Sequence, residues 1–157
     1  MCGFVSIVNT NLGKQNLIDI IGKLKKIHYH RGPDEIKELH KSKFSILFRR
    51  LAIIDLSKNA SQPFLSDDGL ISLVFNGEIY NYIELKQELK KKKIHFKTKS
   101  DTEVLLKSYQ VWGVDFIKKI RGMFSILIFD EKRNKFLCFR DHLGQKPLYY
   151  SKFSHGI

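Results

Sequence analysis

At 157 residues and 43% apolar, the chain is about one domain long and hydrophobic enough to bury a core of its own. No run approaches the roughly 18 apolar residues of a membrane span, and the N-terminus lacks the basic and apolar regions of a secretory signal. Two cysteines, Cys2 and Cys138, cannot build a disulfide framework, so the expected setting is the reducing cytoplasm with both as thiols.

The net charge of +12 raises the question of a nucleic-acid partner, but the excess is carried by 22 lysines against 6 arginines, and arginine is the residue of bidentate phosphate and base recognition. The densest run, Lys90 to Lys93, ends an amphipathic stretch, where cations suit the negative end of a helix dipole. Neither a nucleic acid nor a membrane is therefore an expected partner.

In chain order, strand-like apolar runs cover Phe4 to Val8, Phe44 to Phe48, Ile71 to Phe75, Phe124 to Phe129, Phe136 to Phe139 and Leu148 to Tyr150. Leu17, Ile20, Ile21, Leu24 and Ile27 keep helical spacing, and Ile83, Leu85 and Leu89 keep it more loosely. A third helix opens at "SDTEVLLKSYQVW", where Ser100 and Glu103 have the capping-box spacing. The polar stretch Asp130 to Asn134 reads as a hairpin turn, which gives a mixed α and β class with antiparallel pairing near the C-terminus. Cys138, inside "KFLCFR", is expected to be an inert core thiol.

The loops hold the unusual residues: "HRGPDE" at His30, "RRLAIID" at Arg49, "FNGEIYNY" at Phe75 and "KSDTE" at Lys99, each at the end of a regular element. Asn76-Gly77 after an apolar strand is a strong hairpin signal. The same pair can form an oxyanion hole, from the asparagine amide and a glycine N–H free to approach a ligand. The sequence after Gly77 reads as a helix start rather than a returning strand, which favours the second reading. Asp101 suits the first turn of a helix and would equally receive an ammonium group. Arg50 is a surface cation or a bidentate carboxylate clamp, and Glu78 caps a helix or faces a ligand.

Cys2 connects these possibilities. A thiol with a reference pKa near 8.5 needs a base to act as a nucleophile near neutral pH. Removal of Met1 would give Cys2 a free α-amine with a reference pKa of about 7.7–8.0, a base within the same residue. No separate partner is evident, since His28 and His30 flank Tyr29 in a basic loop.

"MCG", "HRGPDE", "RLAIIDL", "FNGEIYNY", "SDTE", "RGMFSILIFD" and "RDHLGQKPLYY", in this order from Met1 to about Ser151, resemble the N-terminal glutaminase (class II glutamine amidotransferase) domain of glutamine-hydrolysing asparagine synthetases. The resemblance implies an α+β fold, the αββα sandwich of two antiparallel sheets found in N-terminal-nucleophile hydrolases. It implies that Cys2 attacks the side-chain amide of glutamine, that Asn76 and Gly77 hold the oxyanion, that Arg50 binds the α-carboxylate, and that Glu78 and Asp101 receive the α-ammonium. Asp141, Gly144, Lys146 and Pro147 would shape a tight connection with no catalytic role. The family continues past the equivalent of Ile157 into a synthetase domain with a Ser-Gly-Gly-x-Asp-Ser loop, which this sequence lacks. Residues 1–157 are therefore expected to be a C-terminally incomplete glutaminase domain without a cofactor of its own, ATP and magnesium belonging to the synthetase domain or subunit that accepts ammonia. The alternative is a catalytically silent domain that keeps the fold as an interaction surface.

Overall fold

A computed structural model describes residues 2–8, 12–153 and 156–157. The chain forms two compact units, residues 1–51 with 148–157, and residues 52–147.

The first unit is a three-stranded antiparallel sheet in the order β1-β3-β2, built from β1 (Gly3–Val8), β2 (Glu35–His40) and β3 (Phe44–Arg50). Helix α1 (Gly13–Ile27) covers it, with Leu17 and Ile21 fully buried against Ile7 and Leu47 and with Ile20 and Leu24 at the margin. The apolar stripe ends there, since Ile27 is exposed. Strand β2 was not evident in the sequence. It is an edge strand, "EIKELH", whose charged residues fall on both faces, Glu35 against Arg50 and Glu38 against Lys25 and His40, so neither an apolar run nor an alternation marks it. Leu148 to Tyr150, expected as a strand, is irregular, and Tyr149 and Tyr150 are exposed. Further on, Ile157 and Val8 exchange both backbone hydrogen bonds, at 2.7 and 3.0 Å.

The second unit holds a four-stranded antiparallel sheet in the order β4-β5-β6-β7, with β4 (Phe64–Leu65), β5 (Ile71–Ile79), β6 (Gly122–Asp130) and β7 (Lys135–Arg140). Helices α2 (Tyr82–Lys91) and α3 (Asp101–Trp112) pack on one face. Alternate residues Ile71, Leu73 and Phe75 of β5 and Phe124, Ile126 and Ile128 of β6 meet Leu85, Leu89, Val104 and Leu105 there. Asn76, Ser125, Leu127 and Phe129 belong by the same alternation to the opposite face. Buried Tyr109 of α3 donates to Asp130 at 2.8 Å, tying the helix to the β6-β7 turn, where Arg133 also binds Asp130 at 2.7 Å.

Cys138 departs from expectation. Leu137 and Phe139 turn toward the core, so Cys138 falls on the other face of an edge strand and is exposed, with partial burial raising its thiol pKa. The Lys90–Lys93 run lies at the end of α2 as the dipole argument requires. No helix among the described residues is long and apolar enough to cross a membrane.

Candidate active site

In the first unit, antiparallel pairing of β1 with β3 sets Gly3 opposite Arg49, which brings the start of the chain to the end of β3. Cys2 Sγ donates to the Leu51 carbonyl at 3.5 Å and accepts the Leu51 N–H at 3.4 Å, one residue beyond Arg50. The "HRGPDE" segment packs closely against this end of the sheet. A side chain at Gly32 would fall 2.6 Å from the backbone of Arg49 and Arg50, and Arg31 donates to the Cys2 carbonyl at 3.3 Å.

Arg50 is buried, and Glu35, its register partner on β2, accepts a bond from its Nη1 at 3.3 Å. The surface-cation reading of Arg50 is therefore set aside. His28 and His30 bond the Leu24 and Ile27 carbonyls at the end of α1, which leaves them engaged with the helix. Met1, whose removal the sequence reading requires, lies outside the described residues.

In the second unit, Asn76, Gly77 and Glu78 form the last part of β5, and Asp101 opens α3. Asn76-Gly77 is not a hairpin turn, because β5 continues in register with β6 to Ile79. Gly77 has φ +155°, and a Cβ there would fall 2.0 Å from the Met123 carbonyl oxygen, so only glycine fits. Glu78 is an exposed strand residue rather than a helix cap.

Asp101 is 5% exposed and accepts the Ile79 N–H at 3.2 Å. Its burial, added to by the Glu78 carboxylate, outweighs the backbone hydrogen bonds and raises its pKa from 3.8 to about 6. Asp101 thus lies buried under the repulsion of a second carboxylate, with no salt bridge of its own among the described residues. That arrangement is costly for the apo fold and suits an incoming cation.

The capping box is only half formed. Ser100 accepts the Glu103 N–H at 3.2 Å, but Glu103 turns away to accept the Lys97 and Thr98 N–H groups and the Thr98 hydroxyl. The structure also reveals Gln62, which the sequence reading passed over. This buried side chain bonds both backbone groups of Phe75, next to Asn76, and the Thr102 hydroxyl, next to Asp101. Asp141 likewise holds its loop, accepting N–H groups from Phe124, Leu143, Gln145 and Lys146 at 2.9–3.2 Å.

Asparagine synthetases 2 and 1 (glutamine-hydrolyzing) of Bacillus subtilis are each 42% identical to the chain over all of its length. The chain spans only 21% and 25% of those two proteins. Among solved structures, the glutamine phosphoribosylpyrophosphate amidotransferase of B. subtilis, complexed with ADP and GMP, superposes with a TM-score of 0.50. It is 29% identical, and the match covers 59% of this chain and 22% of that one. These relatives agree with the α+β content of two antiparallel sheets and their helices. The sequence profile described as "Glutamine amidotransferase domain" matches residues 1–157, and the chain belongs to that family.

Proposed function

We propose that this chain is a glutaminase that works through its N-terminal cysteine and supplies ammonia to a synthetase domain or subunit. The observation that carries the proposal is Asp101, a buried carboxylate beside Glu78 with its pKa raised to about 6 and no salt bridge of its own among the described residues. An amino-acid α-ammonium is the complement such a pair lacks, and the buried Arg50 guanidinium complements the α-carboxylate.

In the proposed reaction, the α-amine of Cys2 takes the thiol proton and Sγ attacks the side-chain carboxamide carbon of glutamine. The Asn76 amide and the Gly77 N–H hold the resulting oxyanion. As the C–N bond breaks, the α-ammonium of Cys2 returns the proton to the leaving nitrogen, releasing ammonia and leaving a thioester. Water then attacks the thioester, giving glutamate and restoring the thiol. Arg50, Glu78 and Asp101 bind the substrate's α-groups throughout. None of these steps draws on a cofactor. The relatives are named for making asparagine with hydrolysis of glutamine; for this chain we propose aspartate as the final acceptor, amidated in the cytoplasm by a synthetase domain or subunit that would bind ATP and magnesium.

The test is the intact mass of the chain before and after exposure to a glutamine-like electrophile, with fragmentation to locate the adduct. Loss of Met1 and one adduct on Cys2 are expected, and Cys2→Ala should abolish the adduct while still losing Met1. A folded chain that loses Met1 and remains unmodified refutes the proposal.

A further inference from the structure

Between the oxyanion donor Asn76 and the ammonium acceptor Asp101, strand β5 and the first turn of α3 are tied twice. One tie is direct, from the Ile79 N–H to Asp101 Oδ2 at 3.2 Å. The other passes through Gln62. Its Oε1 accepts the Phe75 N–H at 2.6 Å, and its Nε2 donates to the Phe75 carbonyl at 3.2 Å and to Thr102 Oγ1 at 3.3 Å. Strand β4 pairs with β5 only at Phe64 and Leu65, opposite Leu73 and Ser72, so at Phe75 the Gln62 carboxamide stands where a strand's backbone would otherwise pair. A carboxamide carries one acceptor and two donor hydrogens, and all three functions are used here on two elements. The two ties bracket Asn76, Gly77 and Glu78.

We propose that Gln62 is a positioning residue that fixes the spacing between the oxyanion donor and the ammonium acceptors, and that through this spacing the site selects glutamine over asparagine. The inference rests on the glutaminase reading. An amide substrate held at its α-ammonium presents its carboxamide carbon to the oxyanion donor only if that span matches its chain length. Asparagine is one methylene shorter, and a misplacement on the order of 1 Å costs about a hundredfold in rate. A fixed span therefore discriminates between the two, and a loosened one does not. Thr102 is the cleaner probe, because removing its hydroxyl cuts the link to α3 while leaving Phe75 paired to Gln62.

The experiment compares the wild-type chain with Thr102→Val, Thr102→Ser and Gln62→Met, checking each for folding by thermal unfolding. Steady-state glutaminase kinetics are measured with glutamine and asparagine, together with the rate of Cys2 modification by a glutamine-like electrophile and by iodoacetamide, which has no α-ammonium. Thr102→Val is expected to raise KM for glutamine about tenfold, the worth of one buried hydrogen bond. It should also narrow the glutamine-to-asparagine ratio of kcat/KM and slow the glutamine-like electrophile, with iodoacetamide unaffected. Thr102→Ser, which keeps the hydroxyl, should restore wild-type values, and Gln62→Met, where folded, should lower kcat as well. Folded variants that lose thermal stability but keep KM and the substrate ratio overturn the inference and leave a structural staple. A wild-type chain that the glutamine-like electrophile does not modify marks failure of the glutaminase reading itself, and the inference falls with it.

Discussion

Replacing Asp101 with asparagine should make the protein more stable at neutral pH and less able to bind glutamine. Burial raises the Asp101 pKa from 3.8 to about 6, so ionising it in the folded state at pH 7 costs about 3 kcal/mol relative to the unfolded chain. Asparagine removes that charge and keeps an oxygen to accept the Ile79 N–H. The pull of the first-turn N–H groups of α3 is already contained in that shift, while an asparagine NH₂ buried without an acceptor subtracts about 1 kcal/mol, leaving a net gain of about 2 kcal/mol. At this chain length such a gain corresponds to a rise of about 4–8 °C in unfolding temperature.

The sign follows from proton linkage. A folded state with the higher pKa binds more protons than the unfolded state between about pH 4 and 6, so wild-type stability falls as pH rises through that window. The advantage of Asp101→Asn should therefore be full at pH 7 and absent below pH 4, as read from thermal unfolding by circular dichroism at the two pH values. Losing a charged partner for the substrate ammonium should weaken glutamine binding by about 10- to 100-fold. An asparagine variant no more stable than wild type at pH 7, or equally stabilised at both pH values, refutes the reasoning.

Gly77→Ala should lose at least about 2 kcal/mol in denaturant unfolding, because the new Cβ would lie 2.0 Å from the Met123 carbonyl oxygen in a left-handed backbone. Any folded fraction should react slowly with a glutamine-like electrophile. Glu103→Gln should destabilise by about 2 kcal/mol in the same assay, since a neutral amide cannot accept all the bonds now made by Lys97 and Thr98. Burial alone would raise the Asp141 pKa, but the Lys146, Gln145, Phe124 and Leu143 amides overcome it and hold it at about 2. Its contribution is present above the ordinary 3.8 and is lost as pH falls toward 2, so Asp141→Asn should flatten the acid limb of a stability-against-pH profile.

Five of the strand-like runs became strands and three helical stripes became helices, because each pairs a regular apolar period with a face that a sheet or helix can bury. What was missed failed that condition. Edge strand β2 buries little and shows no period, while Leu148 to Tyr150 has strand composition without a partner strand. Of the candidate residues, Cys2 and Arg50 fall together in the first unit, and Asn76, Gly77, Glu78 and Asp101 fall together in the second. Gln62 was not legible. "SQPF" reads as an ordinary loop, and the role of its carboxamide depends on Phe75 and Thr102, 13 and 40 residues away.

The first turn of α3 shows how structural and functional carboxylates can be told apart. Asp101 and Glu103 are two residues apart, both buried, and both suited by the helix dipole, so sequence alone gives them the same reading. Glu103 accepts from two backbone N–H groups and a hydroxyl, which offsets the cost of burying its charge. Asp101 accepts from Ile79, is buried and feels the Glu78 charge, so its proton is harder to remove than that of an ordinary aspartate. A carboxylate that the fold satisfies explains the fold. One that the fold buries and leaves short of positive charge calls for a cationic partner, and in the site proposed here, with Asn76 and Gly77 beside it, that partner is the α-ammonium of an amino acid with a side-chain amide.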